Sequence, residues 1–209
     1  MSLPAHHPIT AWNPERAWAA IRALKARMAT ARGQAAVFDL SLGAAQPAAA
    51  TAPLLPGRVR VLANGGWHSP DALPEAVAQL FDLHLPLACC PPGRCFVVAH
   101  LGQSLDGRIA PATGCSAGLT GPENYDHMHR LRALVDAVVV GAGTVRADDP
   151  RLTVRRVPGE HPARVVIDTE ARLGGDFRLL HDGAAPVVYC HARDVAPNAQ
   201  LPAHVLQLA

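Results

Sequence analysis

Apolar residues recur at helical spacing in two early stretches of the chain, and in short β-branched runs later on. Asn13-Pro14 supplies an N-cap and first-turn pair. Trp18, Ile21, Leu24 and Met28 then fall on one face, which predicts a helix to about Ala31. Ser69-Pro70 marks the start of a second helix, with Leu73, Val77, Leu80 and Phe81 on one side. Between them, Gly43 to Pro56 is Ala, Pro and Thr with few large side chains, the pattern of a linker or surface loop. Residues 1–93 therefore read as a helical, loop-rich N-terminal extension.

From Arg94 the pattern changes. Cys95 to His100 is an apolar run of strand length, and Thr120-Gly-Pro-Glu123 has the form of a capping box for a helix to about Val135. Asp136–Val140, Arg164–Asp168, Pro186–Cys190 and His204–Leu208 are further strand candidates. Short buried strands interleaved with helix signals describe an α/β sheet over residues 94–209. The last strand candidate has no helix after it to cover the sheet.

Composition narrows the function classes. Apolar residues make up 49% and charged residues 17%, which excludes disorder by the low-hydrophobicity, high-charge criterion. The 19 Lys and Arg nearly balance 17 Asp and Glu, so a phosphate-tracking nucleic-acid binder is not expected. The one basic stretch that could serve that alternative is Arg151, Arg155 and Arg156. No apolar run is long enough to span a bilayer, and the N-terminus lacks a basic region followed by an apolar one, so a cytoplasmic protein is expected. Five cysteines, odd in number and unevenly spaced, argue against a disulfide framework. Cys89-Cys90 and Cys95 lie near His84 and His100, yet neither a CxxC pair nor an HxxxH spacing is present, so no metal is expected.

Three segments at strand ends carry residues that strands and helices do not need. Gln103 to Arg108 is a turn built on Asp106-Gly107. Gly141-Ala-Gly-Thr144 follows a strand directly; it reads equally as turn glycines or as a loop whose amides approach a phosphate. It is not a Rossmann fingerprint, because Arg146 stands where the third glycine would be. Ala147 to Arg156 sets Asp148 and Asp149 beside three arginines, either a solvated ion-pair loop or a phosphate site. Ligands of open α/β sheets bind at strand ends, and all three segments gather there.

Taken together, His100-Leu-Gly-Gln-Ser-Leu-Asp-Gly-Arg-Ile-Ala110, Thr113-Gly-Cys-Ser116, Leu119-Thr-Gly121, Leu131-Arg-Ala133, Asp136 to Val145, Ala147-Asp-Asp-Pro150, Leu152-Thr-Val-Arg155 and Val165-Val-Ile-Asp168 resemble the reductase domain of riboflavin biosynthesis. That domain occurs in the bifunctional pyrimidine deaminase/reductase and in stand-alone relatives. The resemblance covers about residues 95–208. It implies a dihydrofolate-reductase-like fold, a mixed sheet flanked by helices and incomplete at its C-terminus. It also implies NADPH-dependent reduction of the ribosyl group of a ribosylaminopyrimidine 5′-phosphate to ribityl, in a homodimer. The alternative is a truncated or diverged module that binds a nucleotide without catalysis.

By the same resemblance, Gly102, Gly118, Gly141, Gly143, Thr144, Asp148 and Thr169 lie against NADPH. Ser116, Arg132, Leu152 and Arg155 hold the substrate, and Asp148 and His100 serve catalysis. The family often has tryptophan where Gly118 stands and usually lysine where His100 stands. Nothing after Asp168 resembles the family's acidic residue and Gly-rich turn, and the deaminase motif is absent.

Overall fold

The computed structural model describes residues 12–30, 37–91, 93–109 and 120–209. They fall into two units, Met1–Val98 and Ala99–Ala209.

In the first unit, helix α1 (Pro14–Thr30) begins where the sequence places it, the Asn13 side chain accepting a hydrogen bond from the Arg16 amide at 2.9 Å. Its buried stripe is Ala17, Trp18, Ala20, Ile21, Leu24 and Met28. The extension is not merely helical. Strands β1 (Val37–Ser41), β2 (Ala44–Ala48), β3 (Val59–Val61) and β4 (Trp67–His68) form an antiparallel sheet in the order β2-β1-β3-β4. The expected linker therefore contains β2, joined to β1 by a tight hairpin pairing Ser41 with Ala44. Small residues hid this strand, and its edge position tolerates Pro47, which has no amide to donate.

Helix α2 spans Glu75–Ala88, starting six residues after Ser69. The Ser69 hydroxyl accepts the Asp71 amide and donates to the Arg58 carbonyl, so it caps a turn rather than the helix. Gly65 is needed where it stands: its φ is +84°, and a Cβ there would lie 2.4 Å from Pro86 Cα on α2. Asp39 and Arg60 form a buried two-pronged ion pair across β1 and β3, at 2.7 and 2.9 Å. Arg60 also donates to the Ala50 and Ala52 carbonyls.

The second unit holds helix α3 (Pro122–Leu134), strand β5 (Ala137–Gly141), helix α4 (Ala142–Asp148), strand β6 (Ala163–Ile167), short helix α5 (Arg178–His181), and strands β7 (Val187–Cys190) and β8 (Leu206–Leu208). The α/β class and the four strands after Asp136 agree with the sequence pattern. The strands are all parallel and run in the order β5-β6-β7-β8. On one side of them Val145, Val166, Leu173, Leu179, Leu180, Val187 and Tyr189 form the core.

Two expectations fail. Cys95 to His100 forms no strand, and Phe96 and Val97 are exposed. A strand exists by pairing, and no described strand gives this run a ladder. The Thr120 capping box also does not form: Gly121 is the N-cap, and the Thr120 hydroxyl accepts instead from Asn124 Nδ2 at 2.9 Å.

Candidate active site

Parallel strands place all their C-terminal ends on one edge of the sheet, where residues Gly141 and Ile167 lie opposite each other. The chain turns there into α4, with Gly141 as N-cap and Gly143 and Thr144 in the first turn. The anticipated loop is thus a helix start, whose leading amides point outward for want of an acceptor. A Cβ on Gly141 or Gly143 would meet nothing within 4 Å, so the glycines leave open space instead of serving internal packing. Thr169, exposed two residues past β6, lies at the same edge. Asp148, also exposed, is the last residue of α4.

Just below Thr169, Asp168 is buried and accepts from the Tyr189 hydroxyl and the Leu173 amide, both at 2.7 Å. Burial alone would raise its pKa, but these bonds, the Arg172 amide and the charge of Arg146 outweigh it and hold the carboxyl below its ordinary value. Asp168 is thereby a structural anchor that fixes the loop after β6.

After α4 the chain must return to the start of β6, because Ala163 pairs beside Ala137 at the opposite edge. Asp149 begins the return in a left-handed conformation (φ 40°) and binds Arg178 through its carboxylate and its carbonyl. Of the sequence-predicted pair Asp148-Asp149, the second is therefore occupied in holding α5. Leu152 also has positive φ (57°) and is buried, so it presents backbone rather than side chain to any ligand. Thr153 and Val154 are buried too, whereas Arg155 is exposed with its Nη1 donating to Thr153 Oγ1 at 2.8 Å.

The charge of Arg155 reaches Arg132, which sits in the last turn of α3. Burial lowers the pKa of Arg132, and the Arg155 charge lowers it further. Arg132 Nε is buried with no hydrogen-bond partner among the described residues. His129, one turn earlier, is buried with its Nδ1 accepting the Arg155 amide at 3.0 Å. Its pKa is pushed down to about 4 by burial, then by Arg132, Arg155 and Arg156, with Asp126 opposing them. Cations of one sign thus crowd a partly desolvated spot, and an anion is the missing complement.

The structure joins some predicted residues and separates others. Gly141, Gly143, Thr144 and Thr169 share one edge of the sheet, and Arg132 and Arg155 share the other. β5 lies between them, about 13 Å long at a strand's rise per residue. The return segment carrying Leu152 and Arg155 runs from the end of α4, where Asp148 stands, back toward the second edge. His100 lies beside α3, its Nε2 3.1 Å from Asn124 Oδ1 and its ring 5.7 Å from that of His127. Gly102 lies against Thr120, whose Cγ2 a Cβ would meet at 3.1 Å. Ser116 and Gly118 fall outside the described residues. Sequence reading missed His129 altogether; its only signal was the spacing His129-x-x-Arg132, one helical turn. No group of three or more His, Cys, Asp or Glu among the described residues is placed to hold a metal ion.

Comparison with known proteins now bears on this arrangement. Residues 95–204 match the model of the RibD C-terminal domain, more than half of the chain. The chain belongs to that family. A 2,5-diamino-6-ribosylamino-4(3H)-pyrimidinone 5′-phosphate reductase from Methanothermobacter thermautotrophicus is 48% identical over 98 residues, covering 46% of this chain and 45% of the relative. The riboflavin biosynthesis protein RibD of Aquifex aeolicus is 38% identical over 96 residues, covering 46% of this chain and 27% of the relative. The matched part spans less than half the length of either relative. Among solved structures, a diaminohydroxyphosphoribosylaminopyrimidine deaminase/5-amino-6-(5-phosphoribosylamino)uracil reductase from Thermotoga maritima is 32% identical, with a TM-score of 0.48 over 64% of this chain and 36% of that one. The matched residues contain Arg132, Arg155 and the whole of α4, so membership and geometry concern the same part of the chain.

Proposed function

We propose that this RibD C-terminal domain binds NADPH and reduces the ribosyl group of a ribosylaminopyrimidine 5′-phosphate to ribityl, in riboflavin biosynthesis. The observation that carries the reading is the Arg132–Arg155 pair, two guanidinium groups within reach of each other's charge, the Nε of Arg132 being buried without a hydrogen-bond partner among the described residues. A phosphate monoester supplies the paired oxygens that such groups bind best.

Open space beside Gly141 and Gly143, at the amide-rich start of α4, fits a cofactor that needs close backbone approach. Gly102, Gly141, Gly143, Thr144, Asp148 and Thr169 would hold NADPH, which supplies the hydride for C1′ of the ring-opened substrate. Arg132 and Arg155 anchor the 5′-phosphate, with the Leu152 backbone beside the sugar. Anchoring at one edge of the sheet and cofactor at the other stretches the substrate along the return segment, so orientation supplies much of the rate. Asp148 and His100 are the proton-bearing groups assigned to catalysis. Ser116 is assigned to the substrate and Gly118 to the cofactor by family position.

We also propose that the domain acts in the cytoplasm as a homodimer. Among the described residues no helix is long and apolar enough to cross a membrane, and Val139, Ile167, Leu206 and Leu208 are exposed on the strands.

The test is NADPH oxidation by the purified chain in the presence and absence of the ribosylaminopyrimidine phosphate. Substrate-dependent oxidation, lost in Arg155→Ala, is the expected result. Binding of both ligands without oxidation would instead support a nucleotide-binding module.

A further inference from the structure

The return segment Leu152–Arg155 is held in an unfavourable shape. Leu152, with φ of 57°, occupies the left-handed region that residues with a side chain rarely adopt. Such a conformation persists only where neighbours over-determine it. Here the neighbours are two histidines. The Val154 amide donates to His161 Nδ1 at 3.2 Å, and the next amide, that of Arg155, donates to His129 Nδ1 at 3.0 Å. Successive N–H groups of an extended segment point to opposite sides, so the two imidazoles grip it from both flanks.

Further stitches fix the same stretch to α3. Arg156 pairs with Asp126 on that helix. Gly159 lies so close to it that a Cβ would stand 2.5 Å from Ala133 Cβ. The Arg155 head is then aimed by Thr153 Oγ1. His129 also lies one helical turn from Arg132, and its buried ring is within reach of the charges of both Arg132 and Arg155.

We propose that His129 and His161 are positioning residues of the phosphate site, clamping the backbone of Leu152–Arg155 so that Arg155 faces the same anion as Arg132. Neither histidine touches the substrate; each acts by accepting a backbone N–H, a role for which the ring must keep Nδ1 unprotonated. The charged groups facing His129 are Arg132 and Asp126 on its own helix and Arg155 and Arg156 on the return segment; burial first, and then the three cations, favour the neutral ring, with Asp126 opposing. This inference rests on the phosphate-site reading above.

The experiment is titration of the full chain with ribose 5-phosphate, read by calorimetry, in a double-mutant cycle. Arg155→Ala is expected to weaken binding about tenfold or more, the effect of losing a hydrogen bond to a charged group. His129→Leu removes the acceptor and is expected to weaken binding about fivefold, whereas His129→Asn, which keeps an oxygen near the Nδ1 position, stays within about twofold of the parent. Because His129 acts through Arg155, the two losses should not add: His129→Leu on the Arg155→Ala background costs almost nothing more. His161 is exposed, so His161→Leu provides the same test without risk to the core. Additive losses, or unchanged affinity in both leucine variants, would overturn the clamp while leaving the phosphate site standing. Unchanged affinity in Arg155→Ala would overturn both.

Discussion

Arg60 and Arg132 show how differently the two units treat a guanidinium taken out of water. In the first unit Arg60 is almost fully buried and well answered: Asp39 takes it two-pronged, two carbonyls take its Nη1, and the Asp39 bond raises its pKa. In the second unit Arg132 lies within reach of the Arg155 charge, and its buried Nε has no partner among the described residues. The second unit can give a buried cation a carboxylate. Arg164, also buried, binds Asp182 and the Ala185 carbonyl through its Nη groups, while its Nε, like that of Arg132, has no partner among the described residues. Arg132 differs from both in lying within reach of a second arginine's charge, the arrangement expected, on the proposed function, where folding stability is given up for a ligand.

Substitutions should break this contrast in opposite directions. Asp39→Ala leaves Arg60 buried without its carboxylate, the costly case, and should produce the largest loss of thermal stability of any change considered. Calorimetric unfolding would show it, and ribose 5-phosphate affinity should be untouched. Arg132→Met removes a partly buried charge repelled by Arg155 and keeps much of its volume, so the unfolding midpoint should hold or rise while ribose 5-phosphate binding weakens at least about tenfold. A fall in stability comparable to that of Asp39→Ala would show that Arg132 is structural.

A smaller effect follows from pH. His129 has a folded pKa of about 4 against an ordinary 6.5, so the unfolded chain takes up its proton first as the solution is acidified. Its share of stability is complete above about pH 6.5 and drains away as pH falls toward 4, by about 3 kcal/mol at the end of that window. Denaturant titrations in His129→Asn should show a flatter pH dependence across it. The smallest effect belongs to Gly143→Ala. Alanine is the better helix former and meets open space, so stability should rise by up to about 1 kcal/mol, while NADPH binding weakens.

How legible this was from the sequence depended on whether a signal was local. Parallel strands β5, β6 and β7 stood out because they are short runs rich in Val and Ile. Strand β2 did not, since Ala-Ala-Gln-Pro-Ala carries neither alternation nor β-branched residues, and only pairing with β1 makes it a strand. Cys95–His100 erred the other way: it has the composition of a strand and no described partner. At the site, the arginines and glycines were visible as residue types out of place in a strand or helix. His129 was invisible, because its meaning lies in a bond to an amide 26 residues later. The division of the site across both ends of β5 likewise depended on strand direction, which no local pattern encodes.

On the proposed function, Arg132, whose buried Nε has no partner among the described residues, is held for a phosphate. Calorimetric titration of the parent chain and of Arg132→Met with ribose 5-phosphate decides this. Saturable binding by the parent and at least about a tenfold loss in the variant, with the fold retained, is the expected result. Equal binding by both proteins would remove Arg132 from the phosphate site.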